Sequence, residues 1–141
     1  MPRERFLRTL RELARCYQAF ERYSGAHVRE LGLTPDQFDI VATLGNTAGM
    51  TFKELGEQTL ITKGTLTGVV DRLEARGFVE RIASETDRRS TIVRLTRAGE
   101  REFSRTFPAH IAHLKGAFGA LKDTELRELE GLLERLRESL R

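Results

Sequence analysis

Apolar residues recur at three- and four-residue steps over most of this chain and alternate over two short stretches, which predicts a mainly helical protein with one small hairpin. From Arg5 to about His27, Phe6, Leu10, Leu13, Tyr17 and Phe20 alternate steps of four and three, a narrow seam of the coiled-coil kind. Such a seam predicts packing against another helix, from the same chain or from a second copy. Leu31-Gly32-Leu33 breaks this helix, and Thr34-Pro35-Asp36-Gln37 opens another. Threonine as N-cap, proline in the first turn and glutamine three residues after the cap form a capping box. Phe38, Val41 and Leu44 are expected inside, and the turn cluster 45–49 closes the helix. A second capping box, Thr51-Phe52-Lys53-Glu54, opens a short helix with Leu55 inward, and Thr59-Leu60-Ile61 leads on. Leu66, Val69, Val70 and Leu73 then mark one face of a helix, with the Thr62 hydroxyl expected to cap a free backbone N–H and Gly77 ending the helix. Phe78–Ile82 and Thr91–Leu95 read as two β-branched-rich strands around the polar loop 83–90. Thr96 caps a long helix carrying Phe103, Phe107, Ile111, Leu114, Phe118 and Leu121, which Pro108 should kink or loosen by a turn. A last helix, with Asp123 as its expected cap, places Leu126, Leu129, Leu133, Leu136 and Leu140 on a second seam.

The polar side of the helix that follows Thr62 is its informative side. It carries Gly64, Thr67, Gly68 and Asp71, flanked by Lys63, Thr65 and Arg72. Glycine inside a helix costs roughly 1 kcal/mol against alanine, and here two lie one turn apart. The arrangement suits a helix whose backbone must come close to something large. Small residues, hydroxyls and cations at a helix start match a DNA major groove, where phosphates meet N-termini and short side chains reach base edges. Two helices and a turn are a common pairing, but a hairpin directly after the second one makes a wing. The wing loop holds Asp87, Arg88 and Arg89. An arginine held out there suits the narrow minor groove, and Asp87 is expected to fix the geometry of the Arg89 guanidinium.

Leu-Thr-Pro-Asp-Gln-Phe at 33–38, Lys-Gly-Thr-Leu-Thr at 63–67, Val-Asp-Arg-Leu-Glu-Ala-Arg-Gly-Phe-Val at 70–79 and Asp-Arg-Arg-Ser-Thr-Ile-Val-Arg-Leu-Thr at 87–96 together resemble the multiple-antibiotic-resistance-regulator (MarR) family. The Asp87-x-Arg89 signature followed by Val93, Leu95 and Thr96 is the most specific of these segments. The resemblance implies a winged helix-turn-helix protein with N- and C-terminal dimerisation helices: 1–30, a DNA-binding lobe at 31–99, and 100–141. It implies a homodimeric, sequence-specific transcriptional regulator, a repressor on a pseudo-palindromic operator in double-stranded DNA, released by a phenolic or anionic small-molecule effector. The DNA-contacting residues would be Thr62, Lys63, Gly64, Thr65, Thr67, Gly68, Arg72, Asp87, Arg88 and Arg89. Asp71 is awkward on such a face unless a cation neutralises it.

Composition narrows the remaining classes. The net charge of the 141-residue chain is only +3 with 32% of residues charged, so the placement of cations matters more than their sum. No apolar run reaches the roughly 20 residues of a membrane span. With no signal-peptide core at the start and one cysteine, a reducing cytoplasm is the expected compartment. No nucleophile elbow, zinc-protease helix or phosphate-binding loop occurs, so no enzymatic role is assigned. His110 and His113 stand three apart, where both could face one metal ion, with His27 and Cys16 as further ligands. Lone histidines on amphipathic helices are more often interface residues, and neither a metal nor a cofactor is assigned. A branch of the resembling family senses hydroperoxides through a cysteine on the first helix. Leu10 stands near that position here, and Pro35 replaces the tyrosine expected after the cap threonine, so Cys16 reads as a buried thiol. The rival from another class is a helical dimer serving as a protein-interaction or ligand-buffering module without DNA binding. The intact wing arginines and helix caps argue against it.

Overall fold

Local capping chemistry sets most of the helix starts. In the computed structural model, which describes residues 4–141, α1 runs Arg5–Glu30, α2 Pro35–Leu44, α3 Phe52–Gln58, α4 Lys63–Ala75, α5 Arg97–Phe118 and α6 Asp123–Ser139. Three strands, β1 Met50–Thr51, β2 Val79–Ala83 and β3 Thr91–Leu95, complete the described elements. Both capping boxes form: the Thr34 hydroxyl accepts the Gln37 N–H at 3.1 Å, and the Thr51 hydroxyl accepts the Glu54 N–H at 3.1 Å. The Thr96 hydroxyl accepts the Gly99 N–H at 3.1 Å and donates to Gly77 O at 2.5 Å, tying the start of α5 to the end of α4. Gly99 is required there, since a Cβ would collide with the Phe78 carbonyl.

The strands form an antiparallel sheet in the order β1-β3-β2, with Val79 opposite Leu95 and Ala83 opposite Thr91. β1 was not expected from the sequence, because two residues show no period and exist as a strand only through pairing with Val93 and Ile92. The core joins α2, α3, α4 and the sheet through Ile40, Val41, Leu44, Leu55, Ile61, Leu66, Val69, Val70, Leu73, Val79, Val93 and Leu95. The whole expected stripe of α4 is therefore inside. Phe38 is only half-buried, and Ile40 takes the central place instead.

The helices differ from expectation in their extent and in the face that α5 buries. α1 continues to Glu30 before Gly32, at φ +92°, turns the chain. α5 runs through Pro108 without interruption. Its buried positions are Gly99, Glu102, Thr106 and His110 rather than the phenylalanine stripe, with Phe103 and Phe107 half-buried. α6 has Lys122 at its N-cap, one residue before the expected Asp123, and Glu125 accepts the Lys122 N–H at 2.9 Å.

The chain divides into two compact units, residues 1–110 and 111–141. In the first, the α1 seam lies open: Phe6 is 59% exposed, Leu10 56% and Tyr17 58%. In the second, Leu129, Leu133 and Leu136 of α6, and Leu140 at its C-cap, are likewise exposed.

Candidate nucleic-acid interface

α4 buries one side in the core and leaves Lys63, Gly64, Thr65, Thr67 and Arg72 exposed on the other, with Gly68 half-exposed. Nothing lies within 4 Å of where a Cβ on Gly64 would be, and on Gly68 a Cβ would meet only the Arg72 guanidinium, at 3.6 Å. The fold of this chain therefore does not require glycine at either place. Thr62 is the N-cap residue as expected, but its hydroxyl bonds no backbone N–H. It donates to the Thr65 hydroxyl at 3.1 Å, which leaves the first N–H groups of α4 open to an acceptor from outside.

Asp71, the awkward anion, is ion-paired with Arg81 of β2. Arg81 also lies 3.9 Å from Glu74 and 5.4 Å from the centre of the Phe52 ring. The cation comes from the wing strand, so the pair both neutralises the outer side of α4 and fastens the wing to it. Sequence reasoning did not single out Arg81. The available signal was a lone cation between Val79 and Ala83 on a strand that must pack beside α4.

In the wing loop, Asp87 Oδ1 accepts the Arg89 backbone N–H at 3.0 Å and Oδ2 accepts the Ser90 hydroxyl at 3.2 Å. The expectation that Asp87 holds the Arg89 guanidinium is corrected: the carboxylate shapes the backbone of the turn. The Ser84 hydroxyl accepts the N–H groups of Thr86 and Asp87, both at 3.3 Å. The turn thus carries Arg88 and Arg89 exposed at its tip. Arg94 pairs with Glu80 across the strands at 2.7 Å.

The connection between α3 and α4 is held by another residue missed in the sequence. Asp39 Oδ2 of α2 accepts the Leu60 N–H at 2.9 Å. Burial pushes the Asp39 carboxyl above its ordinary range, the Leu60 N–H draws it back down, and the charge on Asp36 adds a smaller push upward.

Among the described residues no three His, Cys, Asp or Glu side chains converge as metal ligands would. His110 is buried, with Nε2 3.0 Å from Ser24 Oγ and Nδ1 2.9 Å from His27 Nδ1, while Phe38 meets the ring edge-on at 4.6 Å. Cys16, expected to be buried, is exposed on α1.

A MarR family profile matches residues 31–90, which span α2 to the end of the wing loop. Over 133 residues the chain is 29% identical to the HTH-type transcriptional regulator MhqR of Bacillus subtilis (strain 168), covering 94% of this chain and 92% of that protein. It is 32% identical over 113 residues to the organic hydroperoxide resistance transcriptional regulator of the same strain, covering 79% of this chain and 74% of the relative. A crystal structure of a MarR mutant from E. coli complexed with operator DNA is similar with a TM-score of 0.79 and 25% identity, covering 95% of this chain and 99% of that one. With the helix-turn-helix of α3 and α4, the wing and these likenesses together, the chain belongs to the MarR family of winged helix-turn-helix transcriptional regulators.

Proposed function

We propose that two copies of this chain bind one pseudo-palindromic operator, each inserting the start of α4 into a major groove and its wing into the neighbouring minor groove. One observation carries this reading: the exposed side of α4 is stripped of bulk at Gly64 and Gly68 although the fold does not need glycine there. A duplex can therefore approach the helix backbone. Thr65 and Thr67 stand at the base edges with the Gly64/Gly68 surface between them. Thr62, Lys63 and Arg72 face phosphates, where the open N–H groups of α4 favour an anion. Arg89 enters the minor groove, Arg88 lies at its rim, and Asp87 acts on DNA only through the turn that it shapes. The ion pair with Arg81 removes the repulsion that Asp71 would otherwise exert on the backbone.

The domain roles follow: the lobe at 31–99 reads DNA, and the terminal helices at 1–30 and 100–141 join the two copies. The protein acts in the cytoplasm as a repressor without catalysis. A phenolic or anionic small molecule releases it from the operator. Among the described residues no helix is long and apolar enough to cross a membrane.

Selection from random duplex DNA at one defined salt concentration tests this reading. The expected product is a pseudo-palindrome with half-sites about 10 bp apart, centre to centre. Enrichment of a single, unpaired half-site, or of nothing, would refute it.

A further inference from the structure

The turn after α1 gathers the ends of several helices, and the polar groups there are matched closely. α1 and α4 finish in the same way: Gly32 and Gly77 take φ +92° and +79°, and the N–H groups of Leu33 and Phe78 reach back to Val28 O and Leu73 O at 3.2 and 3.0 Å. Helix ends of this kind present carbonyls with partial negative charge. At the end of α1, two arginines from different elements take them. Arg105 Nη2 of α5 donates to Leu31 O at 2.6 Å, and the same guanidinium is anchored by Glu102 at 2.6 Å. Arg76 Nη1, at the C-cap of α4, donates to Gly32 O at 3.0 Å and to Gln37 Oε1 at 3.1 Å. Gln37 Oε1 also accepts the Thr34 N–H that opens α2, at 3.1 Å. The Arg76 guanidinium lies 4.8 Å from the centre of the Phe78 ring.

A single surface contact by a long side chain is worth little once its rotamer entropy is counted. Arg76 differs because one planar group meets two acceptors, on the α1–α2 turn and on α2, and stacks on a ring. Both bonds come from Nη1, so a lysine ammonium could serve the same acceptors but not the stack of the planar guanidinium on Phe78. Arg76 thereby connects the far end of α4, away from the turn assigned to base reading, with the turn that follows the helix whose open apolar seam would pair two copies.

We infer that Arg76 is a positioning residue for operator binding, fixing the angle of α4 to α1 and so the half-site spacing that the dimer accepts. The inference rests on the homodimer and pseudo-palindrome proposed above. One added base pair turns a half-site by about 34° and moves it by about 3.4 Å. A dimer with rigidly held α4 helices rejects that change, whereas one with loosened helices follows it.

The test uses the full chain as wild type, Arg76→Ala and Arg76→Lys at one salt concentration. Affinities are measured for the selected pseudo-palindrome, for versions with one base pair added or removed at the centre, and for a duplex with one half-site scrambled. Wild type is expected to prefer the selected spacing by roughly tenfold or more, about the effect of one mismatched base pair. Arg76→Ala is expected to cut that preference to below about threefold while binding the single half-site within about twofold of wild type. Arg76→Lys is expected to fall between the alanine variant and wild type, since an ammonium can serve the two acceptors but not the planar stack. An undiminished spacing preference in Arg76→Ala overturns the inference. Equal losses on the palindrome and on the single half-site overturn it too, by making Arg76 a DNA contact or a general fold residue. If wild type selects no pseudo-palindrome, the operator reading has failed before any variant is compared, and this inference falls with it.

Discussion

Arg89 reaches the tip of the wing through its backbone N–H, which Asp87 Oδ1 holds at 3.0 Å, so its guanidinium stays available to DNA. The narrow minor groove is where the potential is most negative and where an inserted arginine senses A·T content. Arg89→Ala should therefore weaken operator binding and flatten the preference for A·T pairs beside the half-sites, measured as affinities for flank variants at fixed salt. Unchanged affinity and flank preference would remove Arg89 from the interface. Asp39 makes a prediction of a different kind, about pH. Folding raises its pKa, chiefly through burial, so the folded chain holds that proton more tightly than the unfolded chain. Its contribution to stability is greatest below the ordinary value of 3.8 and is lost as pH rises through the raised folded value. Asp39→Asn keeps an acceptor for the Leu60 N–H and removes the charge. The variant should melt above wild type at pH 7, and the gap should close as the pH falls below 3.8. A variant that melts lower at pH 7 would mean that the charged bond to Leu60 outweighs the cost of burial.

At the level of elements, α4 sets stability against binding. Gly68 lies in the helix interior with space for a Cβ, so Gly68→Ala should raise stability by about 0.5–1 kcal/mol, read as a higher unfolding midpoint. On the proposed reading the same methyl would intrude between the helix and the duplex, so operator affinity should fall. A variant that is stabilised and binds as tightly as wild type would show that Gly68 does not face the DNA. The helices were legible in the sequence because capping boxes and three-four periodicity are local signals, and Thr34, Thr51 and the Leu66–Leu73 stripe behave as read. Elements that depend on distant partners were not. β1 exists only by pairing with β3. The inner side of α5 was misread because polar residues occupy it, two satisfied within the helix and His110 by distant partners on α1. Thr106 bonds Glu102 O at 2.7 Å, Glu102 pairs with Arg105, and His110 meets Ser24 and His27. Gly45 is similar, since only the structure shows the Phe103 ring filling the space of its absent side chain. In the candidate interface, the exposed residues were legible as a pattern of size and charge. Their supports, Arg81 and Asp39, lie 10 and 21 residues from the groups they hold, beyond the reach of any helical or strand period.

For the whole molecule, the α1 seam of Phe6, Leu10, Leu13, Tyr17 and Phe20 leaves five large apolar side chains of one helix exposed, the kind of surface that marks an interaction site. Leu13→Asp places a carboxylate within it. Sedimentation should show a dimer for wild type and a shift toward monomer for the variant, with operator binding weakened in step. A wild-type monomer at micromolar concentration, or a variant that stays dimeric, would mean that α1 does not pair the copies. Dimerisation and reading then meet on one quantity, because two α4 helices held at a fixed separation multiply the discrimination of each. The most direct measurement is the ratio of affinities for the selected pseudo-palindrome and a scrambled duplex of equal length at one salt concentration. The account predicts a ratio on the order of 10³ or more. Equal, weak binding to both duplexes that fades with added salt would contradict it, leaving the exposed cations as a general attraction for phosphate.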